Sequence, residues 1–393
     1  CFVNGIYSQS RKCYSERYLR LTYWCKLKVV IWRKISSMRL IKKIFKFIGW
    51  LVLAAIILFV GFVGYITLTD YKPDNIKYII EKGDHDVKPL ETDTFSLMNW
   101  NIGYAGLGGD MDFFYDGGTG VRPSKELSEK YLKNVLNFIE TNDTVDFWLL
   151  QEVDYDSKRS YSVNQVIEIT KIKKDSYGIF AKNYDCKHVP IPVSNPLGYV
   201  EGGIMTFSVF PPTEAVRHAY PLIASWPDKL FLLDRCFLLN RYPLENGKEL
   251  VVLNTHNSAY VYDSILRIEE LQIIKKAMLE EFEKGNYVIA GGDWNQIPPG
   301  YEPYGDYGGH KYKPSIVKMN DDFMPEGWVW GYDDSAPTNR SNIKSFVLGE
   351  NTTTCLDYYL VSPNVEILKS KVVDLMFAWS DHNPVYLKVR LLD

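Results

Sequence analysis

The ten residues NYVIAGGDWN (286–295) form a short apolar run that stops on two glycines, an acid, a tryptophan and an amide. Such a run reads as a buried strand whose polar end is lifted to the rim of a sheet. Asp, Asn and Gly after a strand are also ordinary turn chemistry, so the stretch acquires weight only through its companions. Five other segments place polar groups in the same way. FSLMNWNI (95–102) closes on Asn101, VDFWLLQEV (145–153) carries Glu152 near its end, and ELVVLNTH (249–256) ends on His256. CLDYYLVS (355–362) holds Asp357 inside an apolar run, and WSDHNP (379–384) presents Asp381 and His382. An acid within an apolar strand must be hydrogen-bonded or paired, and the expected partner of Asp357 is a histidine.

Outward from these, GGIMTFSVF (202–210), FLLDRCFLLNRY (231–242) and NPVYLKVRLL (383–392) read as further strands. SKELSEKYLKNVLNFIE (124–140) and DSILRIEELQIIKKAMLEEFEKG (263–285) carry amphipathic helical periodicity and separate pairs of strands. The alternation predicts an α/β (α+β) domain over residues 93–393, with no internal repeat. Residues 300–350 are aromatic, Gly-rich and irregular, including YGDYGGHKY (304–312), and are expected to supply substrate contacts.

In this order and at these spacings, NWNI, LLQEVD, NTH, GGDWN, LDYYLVS and SDHNPV together resemble the endonuclease/exonuclease/phosphatase superfamily of deoxyribonuclease-I-like folds. The resemblance implies a four-layer α/β/β/α sandwich of two packed mixed sheets and a hydrolase of phosphoesters. It implies that Glu152 is the principal metal ligand, with Asn101 and Asp381 close to the ion. Asp293 would orient or deprotonate the attacking water, and Asn295 would hold that water or the phosphate. His382, oriented by Asp357, would donate to the phosphoryl oxygens, and His256 would assist the leaving group or bind phosphate. Oxygen ligands suit a hard cation, Mg²⁺ first and Mn²⁺ or Ca²⁺ as alternatives. QEVDYDSKRSYSVNQ (151–165) resembles a pattern of some members that points Arg159 at the phosphate, and PTNRS (337–341) makes Asn339 and Arg340 expected substrate contacts. The Gly- and Asp-rich insertion NIGYAGLGGDMDFFYDGGTG (101–120) stands at the rim of the expected site and is read as shaping specificity.

The formal charge of −3 over 393 residues conceals a division. Residues 1–69 hold twelve Lys or Arg and one acid, which leaves 33 basic and 47 acidic residues beyond, a net charge near −14. An acidic domain disfavours nonspecific wrapping of a nucleic-acid backbone, so a nuclease is the second enzymatic reading. The six cysteines, at 1, 13, 25, 186, 236 and 355, form neither a disulfide framework nor a C-x-x-C pair. From Phe47 to Thr69 no residue is charged, and 23 apolar residues suffice to cross the ~30 Å hydrocarbon core. Arg39, Lys42, Lys43 and Lys46 precede this run, so residues 38–46 read as a cytoplasmic flank and the large domain as extracytoplasmic, periplasmic or extracellular. Met38 is expected to be the natural start, with 1–37 a non-native or disordered leader, and 70–92 to be a stalk. The expected activity is thus a membrane-tethered phosphoesterase acting on a lipid headgroup or small phosphoester. A binding ectodomain without chemistry is disfavoured because each Glu, Asp and His of the motifs is present. The sequence sets no oligomeric state.

Overall fold

The computed structural model describes residues 4–83, 86–259, 264–301 and 317–393. The chain divides into two units, Cys1–Tyr65 and Ile66–Asp393. The first consists of helix α1 (Asn4–Leu68), whose backbone continues into the second unit. By length and composition α1 is apolar enough to cross a bilayer. Its backbone helix passes through Met38 without a break.

In the second unit the elements follow as β1 (Ile76–Ile80), β2 (Thr94–Asn101), α2 (Lys125–Thr141), β3 (Phe147–Ser157), α3 (Gln165–Ile172) and β4 (Tyr177–Val189). Next come β5 (Gly198–Ser208), β6 (Glu214–Ala219), β7 (Cys236–Pro243), β8 (Glu249–His256), α4 (Ser264–Glu283) and β9 (Tyr287–Asp293). The chain closes with β10 (Val329–Gly331), β11 (Asn339–Arg340), β12 (Thr353–Thr354), β13 (Asp357–Val361), β14 (Val365–Val372) and β15 (Val385–Leu391). One mixed sheet has seven strands in the order β1-β6-β7-β8-β9-β13-β10, the other six in the order β14-β15-β2-β3-β5-β4, and β11-β12 form a small ribbon.

Three apolar layers hold these sheets. Between them Phe95, Leu97, Phe147 and Leu149 of one sheet meet Leu250, Val252, Ile289, Tyr359 and Val361 of the other. Outside the seven-stranded sheet, Leu271, Ile274 and Met278 of α4 cover Val251, Leu253, Val288 and Ala290. Outside the six-stranded sheet, Val135 and Ile139 of α2 and Ile169 of α3 cover Trp100, Trp148 and Leu150. The result is the α/β/β/α sandwich that the sequence resemblance implies.

Residues 70–92, expected as a stalk, contain a sheet strand. β1 pairs antiparallel with β6, Ile76 opposite His218, and the Leu90 amide donates to the Pro243 carbonyl at 2.8 Å. β1 lies at the sheet edge with four of its five residues exposed, and Pro73, Asp74 and Lys77 give its surroundings the composition of a linker. The run 231–242 also divides: β7 begins only at Cys236, after a single 3₁₀ turn at Asp228–Phe231. YGDYGGHKY (304–312) lies outside the described residues.

The candidate active site at the ends of the central strands

Side-chain alternation explains how the site assembles. On β2, Phe95 and Leu97 face the other sheet, and two-residue steps carry Asn99 and Asn101 to the same face. Leu250 and Val252 hand the same direction to Asn254 and His256, and Ile289 hands it to Asp293. β2 runs parallel to β3, and β8 to β9, so these polar ends emerge on one side. Antiparallel β13 enters from that side, setting Asp357 directly opposite Asp293.

Glu152 would break this rule without a device. Phe147, Leu149 and Gln151 use the inner face, so Glu152 should point outward. Instead the pairing of β3 with β5 shifts register between Leu150 and Val153, and Glu152 takes φ 53°. The bulge turns the carboxylate inward, and Val153 resumes the outer face. Asn295 also has a left-handed backbone, φ 50°. Positive φ at two non-glycine site residues costs roughly 1–3 kcal/mol each, which is strain concentrated where function resides. Gly292 has no alternative residue, since a Cβ there would lie 2.0 Å from the Thr255 carbonyl oxygen.

The amide of Asn101 donates to Glu152 Oε1 at 3.2 Å and to Asp293 Oδ2 at 3.1 Å, while its oxygen accepts from the Gly103 amide at 3.0 Å. His256 Nε2 lies 3.5 Å from Asp293 Oδ2 and 3.9 Å from Glu152 Oε1. These are not ion pairs, because burial, reinforced by Arg235, His382 and Arg159, holds His256 neutral with its pKa well below the usual histidine value. His256 Nδ1 is buried without a partner among the described residues. Burial raises the Glu152 carboxyl, with Asp381 adding to the effect against the pull of Arg159. Burial likewise pushes Asp293 up to about 6, with Asp357 adding and His382 opposing.

His382 Nδ1 and Asp357 Oδ2 are 2.7 Å apart. Burial alone would lower the imidazole, but Asp357 and Asp293 outweigh it and raise His382 to about 10. His382 is therefore an imidazolium at neutral pH. Its Nε2 is 2.9 Å from the Asn339 side-chain amide, and a protonated ring requires that the amide turn its oxygen to this nitrogen. Asp381 accepts from the Asn342 amide at 2.7 Å. The Asn295 backbone amide donates to Asp293 Oδ1 at 2.9 Å, and its side chain donates to the Asn257 carbonyl at 2.8 Å.

Two expected substrate contacts are engaged elsewhere. Arg159 makes a two-nitrogen contact with Asp154, Nη2 to Oδ1 at 2.9 Å and Nε to Oδ2 at 3.1 Å, and stacks 3.7 Å over the Tyr104 ring. Arg340 is 1% exposed and donates through Nη2 to the carbonyls of Leu107, Gly108 and Met111, at 2.9–3.1 Å. It ties down the Gly-rich insertion.

Two features were not anticipated from the sequence. Gln151 donates to Asn99 Oδ1 at 2.8 Å and to Asn254 Oδ1 at 2.7 Å, and Asn99 donates to the Gly292 carbonyl at 3.0 Å. This buried amide network joins both sheets directly beneath the acids. Its signal was present: an amide stands one or two positions before Glu152, Asn101 and His256. Arg235 is the second. Its charge acts on Glu152, His256 and Glu270, and its Nη1 is buried with no partner among the described residues. A guanidinium with a spare donor beside a site for anions is set to bind one. Arg235→Ala is expected to lower kcat/KM about 10- to 100-fold, mainly through KM, the loss of one charge-assisted hydrogen bond; steady-state kinetics will show it.

The donor set fits a divalent metal. Glu152 and Asp293 bunch two carboxylate oxygens around one amide, the first partly open to solvent and the second buried, a hard, anionic arrangement that a small dication relieves. Asp293, Asp357 and His382 also place one donor atom each within 4.8 Å of one another. Within that trio Asp357 is committed to His382 Nδ1 at 2.7 Å, which leaves Asp293 and the other ring nitrogen facing the site.

A sandwich of two mixed sheets that gathers acids, amides and a charged histidine at the ends of its central strands is the architecture of a phosphoester hydrolase. The chain belongs to the Endonuclease/Exonuclease/phosphatase family, whose profile matches residues 98–382. The enzymes of this family are hydrolases of ester bonds and in general depend on divalent metals. Among solved structures, the endonuclease/exonuclease/phosphatase from Beutenbergia cavernae DSM 12333 shares 18% identity with a TM-score of 0.53, over 76% of this chain and 72% of that one. ANGEL2, a 2',3'-cyclic phosphatase, shares 16% with a TM-score of 0.50, over 82% of this chain and 99% of that one. At such identities the likeness concerns the fold. No curated protein sequence matches the chain.

Proposed function

We propose that the protein is a membrane-tethered, Mg²⁺-dependent phosphoesterase whose catalytic domain lies outside the cytoplasm and whose substrate is a lipid headgroup or small phosphoester. The observation that carries this reading is the convergence of Glu152, Asp293, His256 and the His382–Asp357 pair on one rim. Glu152 would hold the ion, with Asn101 and Asp381 close to it and the Asn101 amide tying Glu152 to Asp293. When bound, Mg²⁺ neutralises charge on the phosphoryl oxygens. Asp293 accepts a proton from the attacking water, and Asn295, fixed by its left-handed backbone, orients that water. His382 donates to the oxygens as negative charge grows on them, and Asp357 keeps its ring oriented and charged. Neutral His256 accepts or donates one hydrogen bond at the phosphate or the leaving group.

The apolar run 47–69 with basic residues on its N-terminal side supports the tether and its sidedness. The −14 domain favours small phosphoesters over a polyanionic duplex. Hydrolysis of bis-p-nitrophenyl phosphate and p-nitrophenyl phosphate with Mg²⁺ tests the reading. Activity is expected to vanish with EDTA, to return with Mg²⁺, and to fall at least about 100-fold in Glu152→Ala. Wild type, Glu152→Ala and His382→Ala equally inactive on a broad phosphoester panel would refute it.

A further inference from the structure

Two loop tips of the catalytic domain expose apolar side chains that nothing in its core explains. The hairpin between β4 and β5 presents Ile191 and Val193, the latter 88% exposed. The connection from β6 to β7 presents Leu222, Ile223 and Trp226, the last 57% exposed. The loops are neighbours. Tyr184 on β4 donates from its hydroxyl to the Phe231 carbonyl at 3.0 Å, and Val189 and Leu197 share an apolar cluster with Phe231 and Leu233.

Their place along the chain supplies the occupant. Trp226 Nε1 donates to Thr67 Oγ1 at 3.1 Å, and Ile66 is buried. Thr67 is two residues from the end of the uncharged run 47–69. If that run lies in a bilayer, Trp226 stands at the headgroup level, where an indole with one wet edge is favoured. Leu222, Ile223, Ile191 and Val193 stand exposed on the two loops whose bases pack together. Burying such groups in the interface is favourable, and several loop residues together hold a tethered domain against the membrane. The nearby charges are mixed, Asp70, Lys72, Lys187, Asp228 and Lys229, so the attraction is apolar rather than electrostatic.

We propose that the 190–197 and 221–227 loops form a bilayer-docking surface that seats the catalytic domain on the membrane of its own anchor. The inference rests on reading 47–69 as a span. The surface is also tied to the segment that follows the Gly-rich insertion: Arg122 donates to Asn195 Oδ1 at 2.5 Å and to the Pro196 carbonyl at 3.3 Å. Docking therefore steadies the rim of the site against the membrane and aligns it with phosphoesters at headgroup level.

The test is nitroxide accessibility in the full chain, reconstituted in phosphatidylcholine nanodiscs. Cys1, Cys13 and Cys25 are replaced by Ser; Cys186, Cys236 and Cys355 are buried. Labels are placed singly through Val193→Cys, Ile223→Cys, Leu368→Cys on β14 and Leu58→Cys within the run. Labels at 58, 193 and 223 are expected to collide more with oxygen than with a water-soluble nickel chelate, and the label at 368 the reverse, unchanged by high salt. Lipid exposure at 58 with water exposure at 193 or 223 overturns the docking surface and leaves the anchor standing. Water exposure at 58 overturns the anchor reading and the docking with it.

Discussion

His382→Ala is expected to lose about 10²- to 10⁴-fold in kcat while keeping a wild-type circular dichroism spectrum, and to melt at a lower temperature because it leaves Asp357 buried without its partner. The ring sits at the rim, so its removal empties the site and not the apolar layers. The pH profile gives a sharper version. Asp293 must be ionised to accept a proton, and before a cation binds its pKa is raised to about 6, so its titration sets the acid limb. A divalent ion beside that carboxylate favours the anion and moves the limb down. His382 stays protonated until about pH 10, which sets the alkaline limb. Asp357→Asn removes the closest source of that elevation, so the alkaline limb should slide towards the ordinary histidine value. An unmoved limb in Asp357→Asn would show that the imidazolium is not the group that titrates. The same pair bears on stability: a raised His382 contributes fully below the unfolded value near 6.5 and loses its contribution as the pH climbs through about 10.

Arg241→Leu is expected to destabilise the catalytic domain by about 3 kcal/mol. Arg241 lies at the end of β7 and gathers three acids: Glu214 at 2.7 Å, Glu249 at 3.1 Å and Glu281 through Nη2 at 2.8 Å. Glu281 and Arg241 are both largely buried. Although burial pushes the Glu281 carboxyl up, hydrogen bonding to Arg241 overcomes it and holds the group at about 2. A depressed carboxyl contributes stability above the unfolded value near 4.5, and that contribution fades as the pH falls towards 2. Thermal or chemical melts of full-length protein in detergent should therefore show a steep acid loss in wild type and a flatter one in Arg241→Leu. Equal slopes would mean that the cluster carries no net stabilisation. Lys82 and Lys284, partners of Glu249 and Glu281, soften the loss and keep the figure at the low end of buried pairs.

Much of the site was legible because its chemistry is written at strand ends. Asn101, His256 and Asp293 follow apolar residues in two-residue steps, and alternation fixes their face once the strands are recognised. Asp357 announced itself as an acid in an apolar run, and the structure sets a histidine against it at 2.7 Å. β1 was missed because this edge strand is mostly exposed and its composition resembles a linker. Arg235 was hidden within an apolar run read as one long strand. Arg159 and Arg340 show what the sequence does not record: basic residues beside a phosphate motif read as ligands for anions, and the structure gives one to Asp154 and the other to backbone carbonyls.

The sequence by itself determined the layers, the strand-end polar groups, the apolar N-terminal run and the acidic character of the domain. These follow from periodicity and composition, which are local properties of the chain. Tertiary structure alone decided that Glu152 turns inward, because a bulge is a mismatch of register between β3 and β5 that neither strand records alone. It also decided the protonation of the two histidines. His256 and His382 are both buried near Asp293, but only His382 has Asp357 against its second nitrogen. At His256 burial and the nearby cations outweigh two acids at 3.5 and 3.9 Å and leave the ring neutral, whereas a carboxylate hydrogen-bonded at 2.7 Å keeps His382 charged.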